Sequence, residues 1–148
     1  VADLPEWVRH KALAPTKEQD VHDALDAAHD LGGLRAVQEL MDASESTALL
    51  SPKDADWNWA EAVRMARVSW VVNRVQRIIA EAVKPMAAYI AASPITSPAS
   101  GRDVGALRAE AERMVYTHVH GTALGAMLRS AGYRLEGLNV RQDPMYHR

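Results

Sequence analysis

The chain contains no cysteine and no phenylalanine, and aromatic side chains make up only 5% of its 148 residues. Without cysteine, disulfides and thiolate chemistry are excluded. Without phenylalanine, and with alanine abundant, the core must rest on Leu, Val, Ile and Met and on four tryptophans. Alanine favours helix and close helix approach but contributes little buried area. Long hydrophobic runs are missing as well. The most apolar stretch, Val68 to Ala92, is interrupted by Asn73, Arg74, Gln76, Arg77, Glu81 and Lys84. A bilayer span needs ~20 nearly uncharged residues, so no membrane association is expected. Val1 to Lys11 shows no basic segment leading into an apolar run, so no signal peptide is expected either. The expected location is cytoplasmic, or within a viral particle.

What is present reads as one α-helical domain, 1–148, of ordinary globular composition, with 48% hydrophobic and 24% charged residues. Charge is unevenly spread. Residues 1–50 hold four basic and ten acidic side chains, whereas residues 51–148 hold thirteen and nine. An acidic segment facing a basic one, within the chain or across a partner surface, accounts for such a split.

Residues 1–15 read as an N-terminal arm, with Leu4-Pro5-Glu6-Trp7 placing a tryptophan against the body. Residues 16–50 form an acidic helical segment. Thr16 and Gln19 fit a capping box, and Val21, Ala24, Leu25, Ala28 and Leu31 follow at helical spacing. Gly32-Gly33 should end or bend that helix. A second helix carries Leu34, Val37, Leu40 and Met41, and Ser44 to Leu50 reads as a polar turn. Ser51-Pro52-Lys53-Asp54 is a strong helix start, with a serine cap and proline at the first helical position. The helix it opens continues to about Ala92. Along it Val68, Val72, Val75, Ile79, Ala82, Met86 and Tyr89 are spaced 4-3-4-3-4-3, a heptad seam. Forty-odd residues would make a rod of roughly 60 Å, kinked near Pro85.

The Pro- and Ser-rich stretch 93–101 breaks the pattern. A further helix is predicted from Arg102-Asp103 to Ala131, with Gly132 as its cap. The expected fold is therefore all-α. It is a helical bundle built on a long antiparallel hairpin, 52–92 against 103–131, with two shorter N-terminal helices and an extended tail over 132–148. Gly121 and Gly125, four apart, would let a neighbouring backbone come close.

Chemistry-bearing patterns are few. His22, Asp26 and His29 stand at i, i+4 and i+7 on one helical face and are the candidate metal ligands. With metal-dependent phosphohydrolases they share only the step His29-Asp30, and the family's upstream histidine and later aspartate have no counterpart. His118 and His120 are i and i+2 on a helix, so they point apart and cannot share an ion. No nucleophile elbow and no phosphate-cradling glycine fingerprint occurs, so no catalytic residue and no cofactor is assigned.

A basic stripe, Arg64, Arg67, Arg74, Arg77 and Lys84, runs beside the seam at 3-7-3-7 spacing. Such a stripe can neutralise phosphates or pair with the acids of a partner helix. The stretch 24–41 resembles a helix-turn-helix at Ala28 and Gly32, but Gly33 and Gln38 fall where apolar residues should lock the second helix. Trp57 and Trp59, on different faces, together with Val68, Val72, Val75, Ile79, Met86 and Tyr89, make the candidate interface. The function expected is a non-catalytic interaction protein that pairs with itself or with another protein as a structural or accessory subunit. The alternatives are nucleic-acid binding through the stripe and, third, a metal-dependent enzyme.

Overall fold

The computed structural model describes residues 4–49, 59–92 and 98–145. The architecture is all-α apart from one small β-hairpin. In chain order it comprises α1 (Glu6–Leu13), α2 (Glu18–Leu49), α3 (Trp59–Ala92), α4 (Pro98–Val119) and α5 (Ala123–Ser130), then β1 (Tyr133–Glu136) and β2 (Asn139–Gln142). Contacts divide the chain into two units, residues 1–70 and residues 71–148. The predicted helix start at Ser51-Pro52 and Trp57 lie outside the described residues.

In the first unit the predicted arm is a helix. Pro5, pre-set at φ −56°, accepts from the Val8 and Arg9 amides and so starts α1. Leu4, Val8 and Ala12 are buried at one-turn spacing where α1 packs on α2. Trp7, expected against the body, is instead 53% exposed, with the Lys11 ammonium over its ring. One turn of α1 offers a single inward position, and Val8 takes it.

The start of α2 differs in detail from a Thr16–Gln19 box. Both the amide and the hydroxyl of Thr16 donate to the Asp20 carboxylate, at 2.9 and 3.0 Å. Gln19 donates to Asp23, which also pairs with Lys11 across the α1–α2 contact. The Thr16 amide holds the Asp20 carboxyl below its usual range, and the Gln19 amide followed by Lys11 does the same for Asp23.

Gly33 breaks α2 as expected. Its φ of 69° and ψ of −164° fall in a region essentially reserved for glycine. The residues before it bury Val21, Ala24, Leu25 and Ala28; those after bury Val37, Leu40 and Met41. Leu31, expected in the core, is 60% exposed because it sits at the break, where the inward stripe is interrupted. The helix then runs past Ser44, through the predicted polar turn. Ser44 is buried, and its hydroxyl donates to the Leu40 carbonyl at 2.8 Å, which lets a polar side chain lie inside a helix. Ala62, Val63, Ala66 and Trp70 of α3 complete this core.

In the second unit α3 continues through Pro85 to Ala92. The predicted helix 103–131 is two helices. Gly121, at φ 80°, turns the chain, and Thr122 in extended conformation caps α5 by accepting from the Gly125 amide. The same hydroxyl donates to the Val119 carbonyl at 2.5 Å. A Cβ on Gly125 would run into that carbonyl, so the close backbone approach expected of Gly125 is realised within this corner. Gly132 follows α5 at φ 89°, the left-handed cap the sequence predicts. The tail is not simply extended. Tyr133 to Gln142 fold as an antiparallel hairpin closed by Gly137-Leu138, with Glu136 opposite Asn139. Glycine at the first turn position, φ 57°, suits the tight turns whose twist matches paired strands.

Two outcomes are expected. Gly33→Ala should cost about 1–3 kcal/mol through backbone strain alone, since a Cβ there meets nothing within 4 Å; urea titration measures it. Depressed carboxyls stabilise the fold above their unfolded pKa of about 4, and that contribution is lost as pH falls through the lower folded values. Acid titration by circular dichroism should therefore show less stability loss in the Asp20→Asn, Asp23→Asn double variant than in the parent chain.

Candidate functional site

Of the three metal candidates on α2, Asp26 and His29 are engaged by another residue. Trp70 of α3 is buried, and its indole N–H donates to the Asp26 carboxylate at 2.8 Å. The His29 ring tilts against the same indole, with centroids 5.9 Å apart. His22 is half-buried one turn before Asp26. The face thus serves as a socket for a tryptophan. Among the described residues no three His, Asp or Glu side chains are placed to hold a metal ion.

His118 lies in the last turn of α4 and His120 just past its end, and the two make different contacts. The His118 Nδ1 lies 2.8 Å from the Met114 carbonyl, whereas His120 stacks on Tyr116 at 4.4 Å. Tyr116 and Met114 are both exposed.

Along α3 the outer members of the basic stripe have acidic neighbours one turn back. Arg64 pairs with Glu61 at 2.6 Å and Lys84 with Glu81 at 2.8 Å. The Arg64 guanidinium lowers the Glu61 carboxyl from its usual range. Arg67 and Arg74 are half-buried, and Arg77 is exposed. Of the candidate interface residues, Val75 is fully buried, while Val68, Val72, Ile79, Met86 and Tyr89 are half-buried. Trp59 opens α3, and its side chain is not among those described. No helix among the described residues is long and apolar enough to cross a membrane.

Sequence reasoning missed one polar surface. Strand alternation puts Arg134, Glu136, Asn139 and Arg141 on one face of the hairpin, and all four are exposed. Arg134 and Arg141 stand directly opposite each other and both reach Glu136, at 2.5 and 3.8 Å. On the other face Tyr133, Leu135 and Val140 are half-buried, and β1 packs against α5. The signal was legible: polar and apolar residues alternate on either side of Gly137. The charge split also follows the structural division. Residues 1–70 hold seven basic and thirteen acidic side chains; residues 71–148 hold ten and six.

Comparison with protein-family models, with curated proteins and with solved structures finds no match.

Removing the acceptor at the socket should be costly. Asp26→Ala leaves a tryptophan N–H without this bond, and about 1–3 kcal/mol of stability is expected to go with it. His22→Ala should change stability by less than about 0.5 kcal/mol, in the range of an ordinary surface substitution. Paired urea titrations compare the two, and equal losses would remove the socket's special role.

Proposed function

We propose that this chain is a non-catalytic helical interaction protein, a structural or accessory subunit that pairs with itself or with another protein. The observation that carries this reading is the incomplete cover of the α3 seam. Val75 and Ala82 are closed off from solvent, yet Ile79, Met86 and Tyr89 on the same stripe stay half-buried, and Ile90 beside them is 52% exposed. Large apolar side chains left partly wet along one helix favour an added partner. Two of the candidate metal ligands, Asp26 and His29, are engaged with Trp70. Nucleic-acid binding through the stripe is the weaker reading, because Arg64 and Lys84 already lie against Glu61 and Glu81.

Charge placed along the seam separates folding from association. Val75→Asp buries a carboxylate at a fully closed position and should unfold the second unit. Met86→Asp, at a half-buried position, should leave the helix content unchanged while dissolving assemblies seen by sedimentation. A chain that stays monomeric at high concentration and binds no protein overturns the reading.

A further inference from the structure

We propose that the outer face of the β1–β2 hairpin docks onto the acidic first half of a second copy of this chain. This deepens the interaction reading and rests on it. The hairpin face has an unbalanced charge built into its register. Two arginines directly opposite on a ladder repel each other, and here one carboxylate, Glu136, serves both. Each guanidinium carries five N–H donors in a rigid fork, so one carboxylate leaves most of them facing water. The opposite face of the hairpin is half-buried, and the Asp143 amide closes its base on the Gly132 carbonyl at 2.8 Å. The arginines are therefore presented on a fixed platform rather than on a loose end.

The complementary surface lies on the first part of α2. Asp23, Asp26 and Asp30 stand at i, i+3 and i+7, so they share one face. Asp30 and Glu18 are exposed, and Leu31 beside Asp30 is 60% exposed, offering an apolar anchor among acids. Carboxylates on a helix are the natural bidentate partners of guanidinium forks.

Charge selects a second copy over a nucleic acid as occupant. The whole chain is net −2, and the thirteen acidic side chains of residues 1–70 repel a polyanion. The same residues attract the hairpin of another molecule. Because the two surfaces differ, the contact is heterologous, and each bound copy presents a fresh hairpin to the next.

The test uses the full chain and two neutralised variants. Arg134→Gln with Arg141→Gln blanks the hairpin while amides can still bond Glu136. Glu18→Gln with Asp30→Asn removes two exposed carboxylates, leaving Asp23 with Lys11 and Asp26 with Trp70. Thermal melts establish that both variants fold. By sedimentation velocity the parent chain should associate at about 0.05 M salt and dissociate towards about 1 M, where screening is nearly complete. Each variant alone should associate at least about tenfold more weakly. Mixed together, they should form a one-to-one pair and stop, because each retains one working face.

Association that ignores salt and both variants overturns the hairpin contact but leaves the seam reading standing. A parent chain that is monomeric at all salts, yet binds a different protein through Met86, overturns self-pairing alone. A monomer that binds no protein overturns both. Monomers whose hairpin arginines instead retain a generic oligonucleotide at low salt replace the second copy with nucleic acid.

Discussion

The first unit depends on burying one tryptophan with its N–H satisfied. Trp70 is the buried aromatic residue among those described, and the Asp26 carboxylate meets its indole N–H across 44 residues of sequence. A large ring brings more contact area than any aliphatic neighbour, but it also brings a donor that cannot be left dry. Asp26 resolves this because it stands at the rim of α2, exposed on one side and within reach of the indole on the other. Several other buried side chains of this unit are small: Ala24, Ala28, Ala62 and Ala66. Alanine at these positions lets helices approach, and Trp70 adds the bulk that alanine cannot.

The second unit has no such plug among its described buried residues and solves the same shortage by bringing backbones together. The turn 120–122 is compressed enough that Gly125 leaves no room for a Cβ against the Val119 carbonyl. Thr122 then satisfies two backbone groups with one hydroxyl, capping α5 and closing the end of α4. Inward side chains here are slim on α4 (Ala111, Val115 and Val119) and fuller on α5 (Leu124, Met127 and Leu128). A short helix with a broad apolar face against a long helix with a narrow one leaves much of α4 outside the core. That is why Met114 and Tyr116 are exposed.

Most of the helical content was legible in the sequence, because periodicity over long stretches reports burial directly. Of the seam from Val68 to Tyr89 only Val75 and Ala82 are buried, the other members being half-buried, while Ala62, Val63, Ala66, Trp70 and Val71 are buried off the seam. Gly33 and Gly132 break and cap where glycine is expected. Misreadings cluster where a short local bond outweighs pattern. Ser44 looked like a turn residue, yet one hydrogen bond to Leu40 carries it through a helix. Residues 117–122 looked continuous because Thr122 is compatible with helix until its hydroxyl is seen capping the next one. The hairpin carries a signal of its own, polar and apolar residues alternating about Gly137, but over strands of only four residues each rather than over a helix-length stretch. As for sites, spacing rightly gathered Asp26 and His29 on one face, but could not say that a tryptophan from a distant helix would occupy it.

The ion pairs on these helices are mostly local, and that has a consequence for how the surface can act. Glu61–Arg64, Glu81–Lys84 and Arg108–Glu112 each join residues three or four apart on an exposed face. Such pairs contribute only ~0–1 kcal/mol and cancel charge within a turn, so they neither bind the fold together nor leave a field for a distant partner. Charge that is not cancelled locally is what remains to steer association. In this chain it accumulates with opposite sign in residues 1–70 and 71–148. Hairpin geometry concentrates part of the positive share, because a two-residue turn forces Arg134 opposite Arg141 whatever their mutual repulsion. Register, rather than helix periodicity, therefore gives this helical protein its most directional polar surface.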